Sequence, residues 1–585
     1  MKYIIVYCFI CSTILALNNF MASQFLKYIQ SLSGNKEKGD AFEKICVGIL
    51  STHPEYTRRF KKVWLYDDVP HSIKEKLCLP NIDKGLDAIA VYHPSPSLIG
   101  PMYCGIQMKY RSDIQNTICW GDLGTFVGSL FRHFDNGLFM TNQLYVCDEL
   151  LDKEIGIFCN KQFTDLSDYQ FQLASAYAFS DTHTYKSIPP IPPIPRPPLP
   201  HQIEALRDMD QHYETSDRGV LSMATGCGKT YTCFRYAQNH NHTRTVCFVP
   251  SLLLLSQIYN DWLKDKGTDI PNILLVGSRA TDEDGSNITI SRQLLLETCP
   301  EVIKDYLIHT ADKPLWVFCT YKSSGMLLRA ITSLQEPENR IEFDLGIYDE
   351  AHKTAGVSTK KSEFKLALSE AFPFKYRLFC TATPKIYSGD LENEYATSMD
   401  DTEIYGKTMY EIHVSEAIRQ KRLTDYQISM PLVEVDLVQE MIQNNRKLDF
   451  SGIKCTAQEI ASAMVLCRTI EKIGCNHILT YHNCIKNAKK YGEILSILFQ
   501  NKDLDIKVLH INGKINYREQ QRIMREFKQS DRVILSSSRV LNEGVDLPEV
   551  DAVVFVDPSK STIDIVQRIG RCLRLKEGKA MANVI

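Results

Sequence analysis

The chain has 585 residues, 44% hydrophobic and 23% charged, with 67 basic against 70 acidic side chains and a net charge of −3. Its ordinary apolar content excludes wholesale disorder, and its near-neutral charge excludes a histone-like binder held on nucleic acid by bulk charge, though not a local basic groove. At ~150 residues per domain the length suggests about four domains, and the 19 scattered cysteines, with one C-x-x-C at Cys8 and Cys11, point to buried reduced thiols rather than a zinc ribbon or a disulfide framework.

Residues 1–20 carry Lys2 and then an apolar stretch over 3–17. This is the outline of a signal peptide, but it is short for a membrane span. Globular patterning starts at Met21, which we read as the true start, with 1–20 an upstream extension or signal-like segment. The protein is expected inside the cell, off the membrane.

Residues 21–186 form the first patterned region. Gly39-Asp40-Ala41-Phe42-Glu43 opens a helix, leaving Glu43 able to face a site. Asp87 leads into a strand over 88–91, a Pro/Ser-rich turn follows, and residues 102–110 read as a second strand. Gln107 and Lys109 are two apart and share a face, and adjacent pairing brings Asp87 to the same edge.

Asp87, Gln107 and Lys109 resemble the D…(E/Q)-x-K core of Mrr-type restriction-endonuclease-like nucleases. The resemblance implies that Asp87 binds Mg²⁺, that Gln107 offers its amide oxygen, and that Lys109 orients water or stabilises charge at the scissile phosphate. Glu43 would be an additional acid. Gln107 in place of Glu removes one negative ligand, so three readings stay open: an active nuclease, a nuclease-like domain that only binds DNA, and an unrelated domain.

Residues 187–200 hold a proline run, with eight of the 24 prolines between 189 and 200. Such a run is an extended, semi-rigid spacer rather than helix or central strand. Beyond it, continuous apolar strands alternate with helical patterns, as at 245–249, 345–348, 376–380, 477–480, 532–535 and 552–556. That is the signature of parallel α/β sheets covered on both faces.

Residues 219–223 read as a strand ending in Ala224-Thr225-Gly226-Cys227-Gly228-Lys229-Thr230 and then a helix. Gly226 and Gly228 let the backbone curl its N–H groups toward phosphate oxygens, so Thr225, Gly226, Cys227 and Gly228 would cradle a nucleotide. Lys229 would reach the β/γ-phosphates and Thr230 would ligate Mg²⁺. Met223 stands where the strict phosphate-loop pattern has glycine. Asp349-Glu350-Ala351-His352 ends another apolar strand, where Asp349 would hold Mg²⁺ and Glu350 would polarise the attacking water.

From residue ~199 onward the chain resembles a superfamily 2 DEAH-box helicase or translocase with two RecA-like lobes, expected over 201–410 and 411–585. Gln202 resembles the adenine-reading glutamine. Residues 248–251 and 319–321 resemble segments that track the nucleic-acid backbone. Thr381 and Thr383 resemble the motif coupling hydrolysis to movement, in which His352 and Gln567 would take part. The stretch 538–546, with Gly544 and Asp546, resembles the second-lobe motif facing both ATP and strand. Arg571 and Arg574 resemble arginine fingers.

The wording around Asp344–Gly356, Arg377–Tyr387 and Ser398–Asp401 is similar to the restriction-type helicases, the translocating subunits of ATP-dependent restriction enzymes and their viral or plasmid-borne relatives. The resemblance implies an ATP- and Mg²⁺-dependent translocase on double-stranded DNA, with a methyltransferase or specificity subunit as a partner by analogy. The alternative is a helicase-like remodelling or transcription factor whose amino-terminal domain only binds DNA. The expected fold is α/β: two RecA-like parallel-sheet lobes behind a small α/β restriction-endonuclease-like domain. The second lobe would normally continue past Ile585.

Overall fold

The computed structural model describes residues 20–585 apart from 58, 81–84, 94–100, 144, 147–154, 161–162, 164–165, 167, 181–195, 267–268, 279–295, 335–340, 358–362, 388–395, 432–447, 451–452, 503, 513–514, 516, 538–546 and 560. The segment before residue 20, most of the proline run and the whole of 538–546 therefore lie outside the described residues. Among the described residues no helix is long and apolar enough to cross a membrane.

The amino-terminal region opens with helices α1 (Phe20–Ser31) and α2 (Asn35–Thr52). The Gly34 backbone N–H donates to the Glu37 carboxylate at 3.3 Å, so the turn entering α2 is tied to that helix's first turn. The helix then buries Ala41, Phe42, Ile45, Cys46, Ile49 and Leu50, an apolar stripe at helical spacing. Strands β1 (Phe60–Leu65), β2 (Ala88–Tyr92), β3 (Tyr103–Lys109), β4 (Asn136–Thr141) and β5 (Ile155–Phe158) form one sheet in that order. The first three are antiparallel, while β3, β4 and β5 run parallel.

Helix α3 (Gly124–His133) lies between β3 and β4 in the chain. Ala88, Ala90, Ile106 and Met108 pack with Phe42 and Ile45 of α2. Ile89 and Tyr103 pack instead with Phe126 and Leu130 of α3. Period-two alternation therefore turns Gln107 and Lys109 to the α3 side of the sheet. Arg59, just before β1, meets Glu297 of the next region at 3.0 Å.

The end of the proline run is strapped to the first lobe. The Arg196 guanidinium makes two bonds, of 2.8 and 2.6 Å, to the carboxylate of Asp265, and it lies 4.8 Å from the centre of the Tyr231 ring. The Asp265 side chain is only 5% exposed, so this planar, bidentate pair is partly shielded from water and well matched in shape.

The first lobe holds helix α4 (Pro200–Tyr213), β6 (Arg218–Met223), α5 (Lys229–Asn239), β7 (Arg244–Val249), α6 (Leu252–Lys266), β8 (Asn272–Val276), β9 (Leu315–Thr320), β10 (Phe343–Asp349), β11 (Phe374–Thr381) and β12 (Lys407–Ile412). Its seven strands are ordered β8-β9-β7-β10-β11-β6-β12, and every pair is parallel. β9 is buried at all six residues, as a strand covered on both faces must be. The order makes β10, β11 and β6 neighbours. Asp349, Thr381 and the loop after Met223 thus sit at adjacent carboxyl ends, the edge where such sheets bind ligands.

The second lobe holds β13 (Tyr426–Ile428), α7 (Ala457–Ile473), β14 (His477–Tyr481), α8 (Ile485–Asn501), β15 (Lys507–Ile511), α9 (Tyr517–Gln529), β16 (Val533–Ser537), β17 (Ala552–Phe555), α10 (Thr562–Cys572) and β18 (Ala582–Val584). The sheet order is β13-β18-β17-β14-β16-β15, again all parallel. One apolar cluster crosses between the lobes and includes Cys227 and Leu423 with Cys572, Leu573 and Tyr481.

Three buried histidines have burial as the largest influence on their titration. Burial lowers His53, His242 and His482 to about 4. In the unfolded chain each titrates near 6.5. Between those values the unfolded state binds more protons, so this stability is complete above pH ~6.5 and is lost as pH falls toward ~4, by up to ~1.4 kcal/mol per pH unit for each histidine. We expect His482→Gln to flatten the fall in unfolding temperature between pH ~7 and ~5. An unchanged slope in thermal melts would refute this.

Candidate active sites

The loop from Ala224 to Gly228 curls because its two glycines take left-handed backbone angles, φ +94° at Gly226 and +80° at Gly228. Such angles strain any residue with a Cβ. Space is closed as well: a Cβ on Gly228 would lie 2.4 Å from the Gln202 amide nitrogen. Gln202 is buried, donates to the Cys227 carbonyl at 3.3 Å and accepts from the Leu199 N–H at 2.8 Å. His201, fully buried, reaches the same Cys227 carbonyl at 2.8 Å. The glutamine is thereby fixed against the loop and helix α4 at once.

Lys229 opens α5 and is buried. Its ammonium donates to the Met223 carbonyl at 3.1 Å. That neutral acceptor is one a phosphate oxygen replaces with a stronger, charge-assisted bond. Thr230 follows it, half-buried. Asp349 is buried at the end of β10, where the Tyr321 hydroxyl donates to its carbonyl at 2.8 Å. Glu350 turns the chain with φ +50°, and its Oε2 stands 3.4 Å from His352 Nδ1. The curled amides, Lys229, Thr230 and Asp349 fit a nucleoside triphosphate with Mg²⁺ by the chemistry of their donors and acceptors.

A chain of contacts leads from here into the second lobe. The Thr383 N–H donates to Thr381 Oγ1 at 3.1 Å. Thr381 Oγ1 lies 3.0 Å from His352 Nδ1, and His352 Nε2 faces the amide nitrogen of Gln567 at 3.4 Å. An amide nitrogen only donates, so this pairing makes Nε2 the acceptor and leaves the ring proton on Nδ1, toward Thr381 and Glu350. The four residues expected to couple the lobes thus stand in one line.

Helix α10 closes the line on the other side. A Cβ on Gly570 would lie 3.0 Å from the Thr225 Cβ, so the glycine lets this helix rest closely on the phosphate loop. Arg574 passes beside Gly226, its Cγ 3.7 Å from where a Cβ would be. Arg571 is buried and bears on Tyr481, whose hydroxyl burial pushes up to about 12 against the pull of the Arg571 and Arg568 charges. Arg568 also lies 4.9 Å from the centre of the Tyr481 ring. Gly544 and Asp546 fall in 538–546, outside the described residues.

The amino-terminal site forms at the end of the β2–β3 hairpin. Ala88 pairs with Ile106, so Asp87 stands opposite Gln107, and Asp87 Oδ2 accepts from the Met108 N–H at 2.5 Å. Gln107 Oε1 is buried with no hydrogen-bond partner. An orphaned acceptor beside a carboxylate fits a bound Mg²⁺. Glu43 and Asp87 both act on the buried thiol of Cys46, which burial raises first and these two charges raise further. The acid on α2 and the acid just before β2 therefore both lie within electrostatic reach of that thiol.

Lys109 has a partner that the motif did not reveal. Its ammonium donates to Asp122 Oδ1 at 3.0 Å and to the Asp122 carbonyl at 3.1 Å, and Arg111 donates to the same Oδ1 at 2.8 Å. Asp122 lies 13 residues on from Lys109 in a Trp-Gly-Asp turn, and no periodicity links the two. Trp262 and Trp316, which show no regular spacing in sequence, meet edge to face in the first-lobe core with ring centres 5.3 Å apart.

Two lobes with a phosphate loop between them, behind an endonuclease-like sheet, define a class of nucleotide-driven nucleic-acid machine. Comparison with known proteins matches three stretches of the chain to families. Residues 51–149 match a restriction endonuclease family, 196–386 the res subunit of type III restriction enzymes, and 461–576 the helicase conserved C-terminal domain. The two later matches are to helicase-type families and the first is to a restriction-endonuclease family, so the chain is similar to restriction-type helicases that carry an amino-terminal endonuclease-like domain.

A probable helicase of African swine fever virus is 28% identical over 386 residues, covering 66% of this chain and 40% of the relative. A 51.5 kDa protein of a Lactococcus phage is 23% identical over 307 residues, covering 50% of this chain and 62% of the relative. Among solved structures, the ATP-dependent Type ISP restriction-modification enzyme LlaBIII bound to DNA is similar in fold, with a TM-score of 0.70 at 22% identity, over 94% of this chain and 37% of that one. The chain spans about two fifths of the length of these viral helicase relatives.

The Gly570 contact is open to test. Gly570→Val should wedge α10 off Thr225 and part the lobes, read as a larger radius of gyration in solution scattering. An unchanged profile would mean that the lobes do not rest on each other through this helix.

Proposed function

We propose that the chain is an ATP-driven translocase on double-stranded DNA, with Mg²⁺-dependent endonuclease activity in the amino-terminal domain. The observation that carries the first half is the line Thr383–Thr381–His352–Gln567, which runs from the nucleotide lobe to the arginine helix. Lys229 and Thr225–Gly228 would hold the phosphates, Gln202 the base, and Thr230 and Asp349 the Mg²⁺. Mg²⁺ bound with ATP neutralises charge on the terminal phosphates.

Glu350 would take the proton of the attacking water, and its Oε2 already faces the Nδ1 side of His352. Arg571 and Arg574 would stabilise charge on the transferred phosphate from the second lobe. Loss of that bridge frees the lobes, and alternating grip on the phosphate backbone becomes stepping. Lys229→Ala and Glu350→Gln are each expected to lower DNA-stimulated ATP hydrolysis by about 10²-fold or more. Undiminished turnover in both purified variants would sink the assignment.

For the amino-terminal domain, Asp87 and Gln107 would hold Mg²⁺, which would polarise the scissile phosphate. Lys109 would orient water or stabilise the charge, and Glu43 would add an acid. The engagement of Lys109 by Asp122 favours a second reading, in which this domain binds DNA without cutting it. Cleavage of plasmid DNA in Mg²⁺ should disappear in Asp87→Ala and in Lys109→Ala. Cleavage that persists undiminished defeats this site, and none from the unaltered protein favours the binding-only reading, with the chain acting as a remodelling or transcription factor.

We further infer an intracellular setting, supported by the 16 described cysteines, all free thiols. By analogy with the restriction-modification enzyme, a methyltransferase or specificity subunit is the partner to seek.

A further inference from the structure

Lys109 and Arg111 are two residues apart at the end of β3, and both aim their cationic heads at one oxygen, Asp122 Oδ1, at 3.0 and 2.8 Å. The other oxygen, Oδ2, accepts from the Cys119 backbone N–H at 3.2 Å. Two cations and a backbone amide around an anionic oxygen pair form a seat suited to a phosphodiester as much as to a carboxylate. Partial burial alone would raise Asp122, but the bonds from Lys109 and Cys119, with the charges of Lys109 and Arg111, hold it below the usual carboxylate range. The carboxylate is thus ionised wherever DNA is bound.

The turn carrying Asp122 has open space around it. Gly121 and Gly124 flank it, and a Cβ at either would meet nothing within 4 Å. Trp120 on the same turn is 39% exposed, although Leu123 beside it is fully buried. The turn is therefore anchored at Leu123 and open to solvent at Trp120 and Gly121.

We propose that Lys109, Arg111 and the Cys119 amide form a phosphate seat beside the nuclease site, and that Asp122 occupies it until a DNA phosphate displaces the carboxylate. This rests on the nuclease reading for its location, but the seat is a binding property and is testable without cutting. Arg111 becomes a DNA-contacting residue, and Asp122 a positioning residue that holds Lys109 until substrate arrives. A domain tethered to a moving translocase meets much DNA in passing, and a seat blocked by its own carboxylate discriminates against brief encounters.

The test uses the full chain and a short duplex oligonucleotide, without ATP or divalent ions. Asp122→Asn keeps an oxygen for the Cys119 amide but removes the charge. It should tighten binding several-fold and steepen the salt dependence by about one phosphate contact, a slope change of ~0.9. Adding Arg111→Ala should cancel the gain. Binding that is unchanged or weaker in Asp122→Asn, or a gain that survives Arg111→Ala, overturns the seat.

Plasmid nicking in Mg²⁺ separates this from the nuclease reading. Faster nicking by Asp122→Asn at limiting DNA, abolished by Lys109→Ala, supports both. Tighter binding with no nicking by any form keeps the seat and removes the nuclease. Nicking lost in Asp122→Asn with unchanged binding overturns the seat and makes Asp122 part of the cutting machinery.

Discussion

The imidazole of His352 joins the two lobes through hydrogen bonds on both of its ring nitrogens. One ring nitrogen faces Thr381 and Glu350 in the nucleotide lobe, and the other faces Gln567 in the arginine helix. The ring is only 3% exposed, so water cannot take over either contact at low cost. A change at the nucleotide that moves Glu350 or Thr381 therefore alters what the ring offers Gln567. The sheet order sets up this arrangement by making β10 and β11 neighbours and ending them at the same edge. The glycine at 570 completes it by letting α10 lie on Thr225.

Much of this was legible in the sequence. The strands of both lobes declare themselves as continuous apolar runs, because a parallel strand covered on both faces has no polar side to show. Residues 245–249 and 345–348 read that way and lie in β7 and β10. The phosphate loop is legible for a different reason: its chemistry needs glycine, lysine and threonine at fixed neighbouring positions, and local chemistry leaves a local pattern. Contacts distant in sequence are not written in local pattern: the pairing of Gln567 with His352, 215 residues apart, is expected only through the family resemblance, and the Lys229 partner is a backbone carbonyl, which no side-chain pattern encodes.

The amino-terminal site shows the same division within a single hairpin. Alternation places Gln107 and Lys109 on one face, and pairing brings Asp87 opposite, both from local rules. Asp122 enters from a turn whose position depends on how α3 packs through Phe126 and Leu130. A motif search that ends at the lysine sees a catalytic cation, whereas the fold supplies that cation with a counter-charge.

The two sites use their cations in one way. Lys229 rests on the Met223 carbonyl and Lys109 on the Asp122 carboxylate, so each meets an internal acceptor where a phosphate is expected. A buried or half-buried ammonium without any acceptor would carry a large desolvation cost, and an internal partner removes it. The partners differ in strength: a neutral carbonyl gives way readily to a triphosphate, while an ionised carboxylate competes with a phosphodiester on equal charge. The loop between the lobes is therefore poised for frequent exchange, and the hairpin site for rarer engagement. That ordering would suit the proposed translocase, which would consume many nucleotides for each event on the DNA strand.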